Sequence, residues 1–106
     1  MPDDLETILP ELKAGLVDLY GDRLRRVILY GSQVRGDADE DSDIDVMVVL
    51  EGPVRPGEEI FRTVDLVSEL SLKHTTLLAC TFVAESDYHS GSDPLIINVL
   101  REGVSV

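Results

Sequence analysis

The stretch L-Y-G-S-Q-V-R-G-D-A-D-E-D-S-D-I-D-V-M-V-V-L, residues 29–50, decides how the rest of the chain is read. It places six carboxylates in the nine positions 37–45 and then runs directly into an apolar segment. Like charges a few ångströms apart repel, so such a cluster against the start of a buried strand needs a compensating cation or free access to water. Alternate side chains of a strand project from the same face. Asp43 and Asp45 therefore share one face at the entrance of segment 44–50, while Ile44 and Val46 take the other. Two carboxylates so placed lie about 7 Å apart along the strand. Hard oxygen donors suit magnesium, or manganese in its place, and magnesium takes one or two protein carboxylates while water and substrate phosphates fill its other positions.

Residues 25–30, R-R-V-I-L-Y, read as a short strand ended by Gly31-Ser32. The connection to Asp43 is short enough to return the chain antiparallel, which brings the Gly-Ser turn beside the aspartate pair. Without a Cβ, Gly31 lets backbone approach a phosphate, and Ser32 offers a hydroxyl and an amide. Arg35, one turn onward, either adds a charged donor to the same anion or pairs with Asp37 or Asp41; both readings stand. Gly36 ends that turn, and Tyr30 packs beneath it. The plainer alternatives are a turn glycine, a serine helix cap and a solvated acidic loop, and Asp37, Asp39, Glu40 and Asp41 are expected to be solvated or to cap turns. The run D-A-D-E-D-S-D also imitates the start of an EF-hand, but Ser42 stands where that loop needs glycine and Val48 where it needs its bidentate glutamate.

Outward from this centre, Leu5, Ile8, Leu9, Leu12, Leu16 and Leu19 recur at helical spacing and predict a helix over 4–20, stopped by Gly21 and kinked or begun at Pro10. Segment 44–50, I-D-V-M-V-V-L, has the continuous apolar tail of a central strand buried on both faces. After the break E-G-P-V-R-P-G, residues 58–73 carry Ile60, Phe61, Val64, Val67, Leu70 and Leu72 near a 3.6 period, predicting an amphipathic helix that crosses back over the sheet. Thr75 to Ala84 reads as a third strand. The tail has Ser92 or Asp93 as cap, Pro94 at the first helical position and Gly103 beyond the end. The order α-β-β-α-β-α implies one domain over 1–106, a small α/β fold with a mixed sheet flanked by helices.

Composition narrows the function. A chain of 106 residues with 43% hydrophobic and 28% charged residues is globular, and with few aromatics its core rests on Leu, Val and Ile. A formal charge of -12 argues against direct nucleic-acid binding, which needs clustered Lys and Arg, and favours a basic protein or a metal-bound small anion. The single Cys80, among apolar neighbours, reads as a buried core thiol, and the acidic start M-P-D-D-L-E is no secretory signal. No apolar run reaches the roughly 20 residues of a membrane span, so a cytoplasmic location is expected. His74 and His89 lack ligand-spaced partners, and Lys73 sits where a helix C-terminus favours a cation.

With these residues on the page, G-S-Q-V-R-G-D-A-D-E-D-S-D-I-D resembles the signature of the minimal nucleotidyltransferases of the DNA polymerase beta superfamily: a Gly-Ser pair, ten residues, then Asp-x-Asp. Arg35, Gly36, Ala38, Ser42 and Ile44 also match, and the closing L-I-I-N-V-L-R-E-G-V is similar to the end of the short prokaryotic members that pair with HEPN-domain proteins. The resemblance implies a palm-like nucleotidyltransferase fold, Gly31 and Ser32 holding the triphosphate of ATP with Arg35 in support, and Asp43 and Asp45 binding Mg2+. It implies transfer of AMP to a hydroxyl of a HEPN-domain partner, as an antitoxin. The chain departs from the pattern once: the family's third carboxylate lies on the strand after the second helix, and T-T-L-L-A-C-T-F-V-A holds no acid. A nucleotide-binding module that neutralises a basic partner without catalysis is the alternative, and a homodimer is left open.

Overall fold

A computed structural model describes residues 5–36 and 43–106. Helix α1 (Leu5–Tyr20) leads through a 3-10 turn (Gly21–Arg23) into strand β1 (Leu24–Tyr30). One helical turn, α2 (Ser32–Arg35), follows, and beyond it come β2 (Ile44–Leu50), α3 (Pro56–Lys73) and β3 (Leu78–Ala84). The chain closes with α4 (Glu85–Ser90), α5 (Pro94–Glu102) and the two-residue strand β4 (Val104–Ser105). The four strands form one mixed sheet in the order β3-β2-β1-β4, with β2 antiparallel to β1 and parallel to β3. The expected α/β class and mixed sheet are thus borne out.

Strand β2 is the axis of the fold because its residues are apolar on both sides. Ile44, Val46, Val48 and Leu50 pack under α1 and α3, and Met47 and Val49 join Ile28, Tyr88, Ile96 and Val99 on the opposite face. Every residue from Val46 to Leu50 is fully buried. Asp43 and Asp45 belong by alternation to the Met47 face. They enter it at the margin of the smaller of the two cores.

Helix α1 buries Ile8, Leu9, Leu12, Leu16 and Tyr20. The stripe ends on Tyr20, and the Leu19 expected inside is exposed. Pro10 lies within the helix, on its exposed side, where a carbonyl deprived of its donor can turn to water. Gly15 allows α1 to sit tightly on α3, since a Cβ there would come 2.5 Å from Leu66 Cδ1.

Three expectations are corrected. Helix α3 starts at Pro56, two residues earlier than residue 58, because Pro56 supplies a preset first turn. Its inner face is also rotated in part: Glu59 and Thr63 are buried, whereas Ile60, Phe61, Val64 and Leu72 are exposed, Phe61 by 82%, while Leu70 is buried and Val67 packs on the core as expected. The buried polar groups are satisfied, as the Tyr20 hydroxyl donates to Glu59 Oε1 at 2.8 Å and the Thr63 hydroxyl to the Glu59 carbonyl at 2.9 Å. Finally β3 begins at Leu78 and not at Thr75, because the Thr75 and Thr76 amides still bond back to Leu72 and Ser71 and Thr75 takes a left-handed φ of 51°. The elements α2, α4 and β4 add to the expected order. The tail helix matches its signals, with Asp93 as cap, accepting from the Leu95 amide at 2.8 Å, and Pro94 first.

Candidate active site

The register of β1 and β2 sets the site. Tyr30 pairs with Asp45, so the last residue of one strand lies beside the second residue of the other. Gly31 follows at once with φ 84° and ψ −152°, a conformation that a side chain resists. Its backbone faces the aspartate so closely that a Cβ would stand 2.6 Å from Asp45 Oδ2. Conformation and space therefore demand glycine independently at this position. The Gly31 carbonyl accepts from the Val34 and Arg35 amides, both at 3.1 Å, and this closes α2. Gly36 then ends the turn in the left-handed region at φ 80°. Ser32, half-buried, is the first residue of the turn, where the leading amides of a helix lack intrahelical partners.

Asp43 precedes β2 and is exposed, and Asp45 is half-buried. The Asp45 carboxyl is held above the ordinary range, first by burial and then by the Asp43 charge, with the Arg35 guanidinium opposing both. These three groups therefore feel one another. An acid whose proton affinity is raised by a neighbouring carboxylate has the donor chemistry that a hard divalent cation relieves, and the Gly31 concavity beside it would be filled by any Cβ. Gln33 adds a further mark of incompleteness: both polar atoms of its amide are buried with no hydrogen-bond partner among the described residues. The residues present thus fit a metal-bound anion.

Arg35 Nη1 donates to Glu102 Oε1 at 3.0 Å, a pairing between α2 and the end of α5, while the Asp37 or Asp41 pairing weighed from sequence lies outside the described residues. Asp37, Asp39, Glu40 and Asp41 lie outside the described residues, and so do the expectations placed on them. Tyr30 lies beside Asp45 and reaches across β2, its hydroxyl 3.4 Å from Thr81 Oγ1. Ala79 is the residue of β3 that pairs with Asp45, and Ala79, Thr81 and Val83 are the β3 positions on that face, so no acid joins from this strand. Glu85 and Asp87 belong to α4 at the far end of β3, and Asp65 to α3 on the other face of the sheet. Among the described residues no cluster of three or more His, Cys, Asp or Glu forms.

Glu102 escaped the sequence reading of the site because its partner lies 67 residues earlier. The only local hint is a carboxylate at the last position of a helix, where the dipole favours a cation.

A Gly-Ser turn facing an Asp-x-Asp strand across an antiparallel pair defines a nucleotidyl-transfer fold, and the comparisons agree. The chain belongs to the nucleotidyltransferase domain family, which matches residues 9–86, and it is accordingly an enzyme of that class. It is 37% identical over 73 residues, 68% of this chain and 72% of the relative, to a Methanocaldococcus jannaschii protein provisionally named protein adenylyltransferase MJ0141. A second protein of that organism, provisionally named protein adenylyltransferase MJ0604, is 31% identical over 92% of this chain and 93% of its own length. Among solved structures, a toxin-antitoxin with AMP-PNP superposes with TM-score 0.67 at 21% identity over 95% of this chain and 71% of that one. At that identity the likeness concerns the fold. No helix among the described residues is long and apolar enough to cross a membrane.

Proposed function

We propose that this chain transfers AMP from ATP to a hydroxyl of a protein partner, using Mg2+, and that the partner is a HEPN-domain toxin which the modification silences. The observation that carries the reading is the apposition of Gly31 and Asp45, where only hydrogen separates backbone from carboxylate. Gly31 and Ser32 hold the β- and γ-phosphates of the nucleotide, and Arg35 supports them. Asp43 and Asp45 hold the cation, which when bound neutralises charge on the phosphoryl oxygens. The acceptor oxygen attacks the α-phosphorus, the bond from that phosphorus to the bridging oxygen breaks, and pyrophosphate leaves with the electron pair. The hydroxyl proton passes to solvent, and on β3 Ala79 and Thr81 offer it no base.

Support for the acceptor class comes from relatives named protein adenylyltransferase, among them MntA of Thermococcus cleftensis, 41% identical over 49 residues, 46% of this chain and 48% of the relative. A toxin-antitoxin MntA-HpeT mutant also shares the fold, with TM-score 0.55 and 17% identity over 90% of this chain and 70% of that one. The formal charge of -12 favours a basic partner.

The missing acid on β3 favours one other reading, a module that binds nucleotide and silences its partner by contact alone. Incubation with labelled ATP, magnesium and the product of the adjacent gene separates the two. Label on the partner, lost in Asp43→Asn while the complex persists, is the expected result. Neutralisation that survives Asp43→Asn and needs no nucleotide would establish the contact mechanism instead.

A further inference from the structure

We propose that Glu102 is a positioning residue for nucleotide binding, holding the Arg35 guanidinium over the Gly31–Asp45 cradle. The inference rests on the nucleotide-site reading above and extends it to the far end of the chain. Arg35 ends a single helical turn and is about half exposed, so holding its long side chain in one geometry costs rotamer entropy that a fixed partner offsets. Glu102 Oε1 accepts from its Nη1 at 3.0 Å, and the glutamate is the less exposed partner, at 24%. A guanidinium is a planar fork of five donors, so a bond held at one nitrogen sets the orientation of the whole group.

The glutamate stands on a stiff platform. Immediately after it, Gly103 packs so closely that a Cβ would fall 2.5 Å from the Val99 carbonyl oxygen and 2.6 Å from Ile28 Cγ2. Val104 and Ser105 then pair with Leu29 and Ile28 of β1, the strand that ends in the cradle. Glu102 is thus fixed to the same strand that presents Gly31, and an arginine tied to it is fixed relative to the site. Helix chemistry opposes a carboxylate at this position, where the macrodipole repels negative charge. That cost fits a residue kept for its partner.

The test is titration calorimetry with magnesium and the non-hydrolysable analogue AMP-PNP on the wild type, Arg35→Ala, Glu102→Ala, Glu102→Gln and the double alanine variant. Losing a direct charged contact in Arg35→Ala weakens binding about tenfold. Losing the partly exposed pair in Glu102→Ala weakens it about three- to fivefold, with Glu102→Gln between that and wild type because an acceptor oxygen remains. The deciding result is the double variant, which should bind no more weakly than Arg35→Ala alone, because Glu102 acts only through Arg35. Additive losses, unchanged binding in Glu102→Ala, or tighter binding there would each overturn the proposal while leaving the nucleotide site standing. Absence of binding by the wild type would instead remove the site itself, and the proposal with it. Should Glu102→Ala fail to fold, the Glu102→Gln comparison with and without Arg35→Ala decides by the same criterion.

Discussion

The two faces of the sheet are built on opposite terms. Among the described residues, fourteen buried side chains fill the layer between the sheet and α1 and α3, eight of them from the three long strands, and the contact is tight enough that α1 needs a glycine against Leu66. The layer between the sheet and α4 and α5 holds six, three of them from the strands, and toward the Gly31 end this thinner layer gives way to Tyr30, Thr81, Asp45 and Asp43. One face holds the protein together, and the other gives up apolar burial where charge is needed. The difference shows where stability and chemistry can be changed separately.

Asp45→Asn should break the comparison most sharply. It removes a carboxylate from the pair proposed to hold magnesium, and loss of such a group costs transfer on the order of a thousandfold. The same change should stabilise the metal-free protein. Because the folded state raises the Asp45 carboxyl above 3.8, the folded chain binds more protons than the unfolded one across that window, and stability falls as pH rises through it. Asparagine has no such loss, so its melting temperature at neutral pH should exceed that of wild type in chelator. A lower melting temperature would show that Asp45 belongs to the structural side after all.

Leu12→Ala tests the opposite face. Leu12 is fully buried, and truncating such a leucine costs about 2–5 kcal/mol through lost transfer energy and the cavity left behind. Denaturant unfolding should record that loss while nucleotide affinity per folded molecule stays at the wild-type value. Gly31→Ala should do the reverse, because the added Cβ meets Asp45 Oδ2 and the φ of 84° resists it, so affinity falls about tenfold or more while the helical core is untouched. Equal effects of the two variants on binding would mean that the faces are coupled.

How much of this was legible follows from distance along the chain. Strand β2 and the Gly-Ser turn read directly, since the alternation, the apolar tail and the glycine all act on neighbours within the stretch 29–50. Helix α5 announced itself through Asp93 and Pro94. The face of α3 did not, because Glu59 and Thr63 pass as surface residues until Tyr20, 39 residues away, is seen to satisfy the carboxylate. The period was right, and Val67 and Leu70 face the core as expected, but Ile60, Phe61, Val64 and Leu72 do not. Elements as short as α2, α4 and β4 give too few residues for a period at all, and the Arg35–Glu102 pair depends on a fold that brings the closing strand β4 against β1.

The Tyr20–Glu59 pair makes the smallest and most discriminating prediction at neutral pH. Tyr20→Phe leaves the buried carboxylate without its 2.8 Å donor, although Arg62 at 4.0 Å and the Arg55 amide at 3.4 Å remain, so the cost should be about 1.5–3 kcal/mol. Replacing both partners, as in Tyr20→Phe with Glu59→Leu, should recover much of that, because no polar group is then buried unpaired. Alkali offers an independent check. Burial, and then the Glu59 bond, raise the Tyr20 hydroxyl above its usual 10.0, so the folded state keeps a proton that the unfolded state releases. Its contribution is complete below pH 10.0 and is lost as pH climbs toward the folded value, so wild type should weaken in that range more steeply than Tyr20→Phe. Parallel alkaline unfolding curves for the two proteins would mean that the pair is open to water and that α3 is held by its apolar contacts alone.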